Sequence, residues 1–113
     1  MLLKAALLQG DAALGNWQDW RATADIDTLD GASFRLLPLL YANLQKHRIA
    51  DSELGRLRGI SRFHWCKTQI LVNSMLSLIS ILRKEQIEVL LLKGGALIFQ
   101  YYSSPALRPM SDF

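Results

Sequence analysis

Apolar side chains recur at helical spacing along the first two thirds of the chain. Leu2, Leu3, Ala6 and Leu7 form one such group, and Gly10 closes it. Ala12 to Trp20 predicts a short second helix, with Trp17 and Trp20 three positions apart so that both meet one packing surface. Asp30-Gly31 is a turn signal. Ser33 is the expected cap of a helix over Phe34 to His47, with Pro38 in its first turn and Leu36, Leu37, Leu40, Tyr41 and Leu44 on its buried side. Asp51-Ser52-Glu53 opens a further helix, its acidic side chains matched to the helix dipole. From Ile60 its stripe strengthens. Leu71, Met75, Leu78 and Leu82 recur every three or four positions, Val72, Leu76 and Ile79 widen the face, and Lys84-Glu85-Gln86 ends it.

The pattern changes at Ile87. Ile87-Glu88-Val89-Leu90-Leu91-Leu92 is a short, nearly continuous apolar run bounded by charge and glycine, which predicts a buried strand. Lys93-Gly94-Gly95 predicts a tight turn. Ala96 to Tyr102 predicts a helix with Leu97, Ile98, Tyr101 and Tyr102 on its apolar side, ended by Ser103-Ser104-Pro105. Leu107 to Ser111 reads as a loop, and Asp112-Phe113 as the first step of a second strand. The expected fold class is mostly α with a small α/β part: a helical N-terminal region over residues 1–86, then a strand-helix-strand beginning over 87–113.

Composition narrows the setting. The chain has 113 residues, 50% hydrophobic and 20% charged, enough for one small globular domain with a core. Ile70 to Leu82, the longest apolar stretch, is interrupted by Asn73, Ser74, Ser77 and Ser80. It also falls short of the roughly 18 apolar residues a bilayer crossing needs, so no membrane span is expected. Met1 to Leu8 is too short for a secretory signal, and no small-residue cleavage site follows it. Cys66 is the one cysteine, which excludes an internal disulfide and a cysteine-built zinc site and fits a reducing, cytoplasmic setting. In its apolar helix Cys66 reads as an inert packed thiol, and His47 and His64, without partners at ligand spacing, read as structural.

The net charge of +3 is unevenly spread. Residues 31–67 hold seven basic side chains against Asp51 and Glu53, a basic band in the middle of the chain. It is either a solvated helix face or a surface that attracts phosphate-bearing partners. Arg56, Arg58 and Arg62 are its candidates for nucleic-acid contact.

Candidate chemistry lies in the last twenty-odd residues. Gly94 and Gly95, between an apolar run and a helix, let backbone amides approach a phosphate at the positive end of a helix dipole. The pattern is neither a Walker loop nor a dinucleotide fingerprint. Lys93 either touches a phosphate or snorkels at the strand end. Arg108 either pairs with phosphate or anchors its loop through Asp112. Asp112 offers one carboxylate to a divalent metal, whereas two-metal phosphoryl transfer needs several.

These residues carry a resemblance. Leu90-Leu91-Leu92-Lys93-Gly94-Gly95-Ala96-Leu97, then Tyr101-Tyr102, then Arg108-Pro109-Met110-Ser111-Asp112-Phe113, looks like the signature of the uncharacterised nucleotidyltransferase family of the DNA polymerase beta superfamily. Arg35-Leu36-Leu37-Pro38-Leu39-Leu40-Tyr41-Ala42-Asn43-Leu44 and the helix around Trp65 resemble its leading helices. The resemblance implies that Gly94 and Gly95 match the phosphate-cradling turn and that Asp112 matches the first metal carboxylate of an Asp-x-Asp pair. The second would fall beyond Phe113, and the third on a later strand. The superfamily pattern the resemblance implies takes Gly or Ser after its first glycine, and with Gly95 no side-chain hydroxyl follows Gly94. The implied full enzyme takes a nucleoside triphosphate with Mg²⁺ and an unknown acceptor. The chain is accordingly expected to be the truncated beginning of a nucleotidyltransferase core, inactive by itself. The alternative expectation is a non-catalytic helical fragment that self-associates into a homo-oligomer through exposed apolar faces.

Overall fold

The computed structural model describes residues 1–112 and divides into two units, Met1–Arg62 and Phe63–Phe113. In the first unit, α1 (Leu2–Leu7), α2 (Gly10–Thr23) and α3 (Gly31–Lys46) pack together, α1 touching both others. A helix of six residues is too short to stand in water unaided, so α1 depends on its neighbours. Leu2, Ala5 and Ala6 are buried, and Asn43 of α3 donates to the carbonyls of Ala5 and Leu8 at 2.8 and 2.9 Å, satisfying groups a helix end leaves open. His47 adds a second tie, its ring nitrogens 2.9 Å from the Asn43 carbonyl and 3.0 Å from Gln9 Oε1.

Trp17 and Trp20 stack with ring centroids 5.6 Å apart and join Leu37, Leu40, Leu44 and Leu57 in the core of this unit. The helices begin and end a few positions away from the pattern-based bounds. Asp30, not Ser33, caps α3, accepting from the amides of Ala32 and Ser33. The earlier start places buried Pro38 inside α3 rather than in its first turn, where it forfeits an intrahelical hydrogen bond.

The helix α4 (Leu54–Lys84) runs through the boundary between the units. It carries Arg56, Arg58, Arg62, Lys67, Arg83 and Lys84 and no acidic residue. Its 31 residues include an 18-residue window of mean hydropathy 1.2, of which 17% is buried, so by length and composition alone it is long and apolar enough to cross a membrane. This differs from the expectation drawn from the interrupted run Ile70 to Leu82, because the helix extends well beyond that run.

The second unit holds the rest of α4, then α5 (Lys93–Gln100) and a 3-10 turn at Pro105–Leu107. Val72, Met75, Ile98 and Ala106 are its buried apolar side chains. The strand expected over Ile87 to Leu92 does not form, and no strand occurs among the described residues. The described fold is therefore helical throughout, not mostly α with a small α/β part, and residues 87–92 are an irregular connection between α4 and α5. A strand exists only where a neighbour takes up its amide and carbonyl groups, and no described segment pairs with this one. Its backbone is extended at Leu92, yet Leu90 is 81% and Leu92 66% exposed, the opposite of a buried strand. Asp112 is irregular, and the Phe113 half of the second expected strand lies outside the described residues.

Candidate phosphate-binding site

All five candidate residues lie in the second unit. Lys93 makes the turn into α5, with φ 52, and the extended Leu92 stands at the cap position with no side-chain hydrogen bond. Gly94 and Gly95 are therefore the first helical turn, not the turn before it, and neither has a positive φ. At Gly94 the lack of a side chain serves close approach instead. A Cβ on Gly94 would collide with Nη1 of Arg108 and lie 3.3 Å from its Cζ and 2.9 Å from Sδ of Met110. A Cβ on Gly95 would sit 3.6 Å from Sδ of Met75, an ordinary contact. The first turn of α5 thus has the 108–110 loop on one side and α4 on the other, and both glycines are buried.

The loop is held by local chemistry. Ser104 caps the 3-10 turn by accepting from the Ala106 amide at 3.4 Å, Pro105 supplies its fixed φ, and Ala106 is buried. Arg108 follows at the end of that turn, half-buried, and its backbone N–H donates to Pro105. Among the described residues the Arg108 guanidinium forms no ion pair and no hydrogen bond, so the alternative of a loop-anchoring pair with Asp112 is not realised there. Asp112 is exposed.

This arrangement brings one cation, Arg108, against a helix start that carries unpaired amide donors. Lys93 is exposed at the same turn. The combination attracts anions, and phosphate first among them, since guanidinium and backbone amides both match its oxygens. Among the described residues no group of three or more His, Cys, Asp or Glu side chains could hold a metal ion. Mg²⁺ commonly rests on one or two carboxylates and the phosphates of its substrate, a role open to Asp112. An open groove of about 570 Å³, lined by Ile79, Arg83, Gln86, Ile87, Glu88, Val89 and Leu91, contains none of the five residues.

The other candidates take ordinary roles. Arg56 pairs with Asp27 and, at 4.0 Å, with Glu53, so it is not a free member of a nucleic-acid surface. Cys66 is exposed rather than packed. His64 is buried, and that burial, followed by the nearby charge of Lys67, holds its pKa below the ordinary value. The spatial partnership of Gly94 with Arg108 and Met110 was missed in the sequence, because a separation of more than a dozen residues across a helix and a loop has no local signal.

Residues 32–113 match the family described as uncharacterised nucleotidyltransferase. That stretch is well over half of the chain, and the chain belongs to this family. No curated protein and no solved structure matches it.

Proposed function

We propose that residues 93–112 bind the triphosphate of a nucleoside triphosphate in a Mg²⁺-dependent nucleotidyl transfer. The first-turn amides of α5 and the side chain of Arg108 hold phosphate oxygens, Lys93 adds a mobile positive charge, and Asp112 holds Mg²⁺, which when bound neutralises charge on the phosphates. An acceptor hydroxyl then loses its proton to solvent and forms a bond to the α-phosphorus, while the bond from that phosphorus to the α,β-bridging oxygen breaks and its electron pair leaves with pyrophosphate. The observation that carries this reading is the half-buried Arg108 guanidinium, without an ion pair among the described residues, pressed against the start of α5 in a chain of nucleotidyltransferase family. With one carboxylate in place of the several this chemistry uses, residues 1–113 by themselves bind nucleotide but transfer it negligibly. Titration with Mg·ATP followed by incorporation of labelled nucleotide tests both halves. Absence of binding would overturn the site, and robust Asp112-dependent incorporation would overturn the claim of inactivity.

A second reading is favoured by a separate observation. In the second unit Phe63, Trp65, Ile70, Ile81, Leu90, Leu92 and Tyr101 are each at least half exposed. Exposed apolar side chains in such number supply surface that a second copy of the chain would remove from water. Self-association into a homo-oligomer follows from this. Sedimentation velocity reads it, and a monomer at high concentration would dispose of it.

A further inference from the structure

We infer that Gly94 is a positioning residue whose missing side chain forms the seat of the Arg108 guanidinium, so that Gly94 acts on phosphate through Arg108 and not only through its own amide. The inference rests on the phosphate reading of this site and deepens it. Three observations carry it. A Cβ on Gly94 would overlap Nη1 of Arg108 and crowd Cζ and Met110 Sδ. Gly94 has no positive φ, so backbone freedom does not explain the glycine. Arg108 has no other polar partner among the described residues to fix its direction.

The crowding atoms decide what a substitution does. Nη1, Cζ and Sδ are the far ends of long, flexible side chains, not backbone. Alanine also suits a helix better than glycine. Gly94→Ala therefore leaves α5 formed and expels the guanidinium from its seat. Gly95, whose added Cβ meets only ordinary contacts, has no such partner. The two adjacent glycines differ: Gly94 registers the 108–110 loop against α5, whereas residue 95 has room for a Cβ beside Met75.

The test has two arms on the whole chain. In the first, without ligand, the Nε–Hε resonance of Arg108 is followed by NMR in the parent, Gly94→Ala and the control Gly59→Ala, whose added Cβ meets nothing within 4 Å. Gly94→Ala is expected to move the resonance and speed its solvent exchange, and Gly59→Ala to leave both unchanged. An unmoved resonance in Gly94→Ala overturns the inference. In the second arm, affinity for Mg·ATP and for inorganic tripolyphosphate is measured for the parent, Gly94→Ala, Arg108→Ala and the double variant. Each single change is expected to weaken binding roughly tenfold or more, as loss of a charged hydrogen bond implies. The double variant is expected to match Arg108→Ala, because a seat without an occupant has nothing left to lose. Effects that multiply in the double variant overturn the inference. If the parent binds neither ligand, the phosphate reading falls while the first arm still decides the seat.

Discussion

Trp17 and Asp51, 34 positions apart, are joined by a hydrogen bond from the indole Nε1 to Oδ2 at 3.1 Å. Trp17 is fully buried, and the Asp51 side chain is 10% exposed. The same carboxylate oxygen accepts from Arg21 at 2.6 Å, and the other oxygen accepts from the Glu53 amide at 2.8 Å. Asp51 thus ties the segment ahead of α4 to α2. Asp51→Ala leaves a buried indole donor unpaired, a cost of about 1–3 kcal/mol, and adds up to about 1 kcal/mol from the partly exposed Arg21 pair. Urea unfolding followed by Trp fluorescence should show the loss. Asp51→Asn, which keeps an acceptor, should lose less than half as much. Equal losses would mean that the charge and not the acceptor matters.

Two helices end on left-handed residues that are not glycine. At the end of α3 the amide of Arg48, with φ 53, donates to Gln45, and that of Ile49 donates to Leu44 at 3.0 Å. At the end of α4 the amide of Gln86, with φ 58, donates to Arg83, and that of Ile87 donates to Leu82 at 2.9 Å. Both are Schellman closures, which favour glycine at the left-handed position. Replacing Arg48 or Gln86 with Gly relieves that strain at a smaller gain in unfolded-chain entropy, for a net stabilisation of about 0.5–1 kcal/mol. Gly10→Ala, at φ 57, should destabilise by a similar amount. Thermal unfolding of the three variants checks the opposite signs.

Two groups make stability fall with acidity, in different windows. Asp30 caps α3, and hydrogen bonds from the Ser33 hydroxyl, then its amide, hold its pKa below the ordinary 3.8. A carboxylate depressed in the fold contributes above its unfolded value and loses that contribution as pH falls through the folded one. The Asp30 window therefore lies below 3.8. His64 is held below its ordinary 6.5 by burial, then by Lys67. Its unfolded form binds the proton more tightly, so stability drops as pH falls from 6.5 towards its folded value. Urea midpoints between pH 7 and 5 should decline in the parent and flatten in His64→Gln. Asp30→Asn should keep the cap and remove the slope seen below pH 4. A parent midpoint that rises between pH 7 and 5 would contradict the His64 assignment.

The helices were legible because each has a periodic apolar face: Leu37, Leu40 and Leu44 stand at helical spacing and are all buried. Helix ends were less so, since Asp30 and Ser33 are both good caps and the choice between them depends on geometry. The run from Ile87 to Leu92 misled because its composition states a preference for burial, whereas a strand also needs a hydrogen-bonding neighbour that composition does not supply. At the site, the residue types at 93–95, 108 and 112 carried the family resemblance. That Gly94 yields its space to Arg108 depends on how a loop folds back on a helix, and nothing in residues 94–108 encodes it locally.

Gly95 gives a prediction distinct from that for its neighbour. A Cβ there would lie 3.6 Å from Met75 Sδ and 3.9 Å from Leu91 Cδ2, both ordinary contacts. Met75 is 1% exposed, so the added methyl would be buried against existing apolar atoms. Glycine in a helix costs up to about 1 kcal/mol relative to alanine, and alanine also restricts the unfolded chain. Gly95→Ala should therefore stabilise by up to about 1 kcal/mol, read as a higher urea midpoint with an unchanged slope. Met75→Ala should cost about 2–5 kcal/mol by opening a cavity. The double variant should recover less than the single gain plus the single loss predict, because the methyl at residue 95 then faces a void. A destabilised Gly95→Ala would show that the first turn of α5 is packed as tightly at Gly95 as at Gly94.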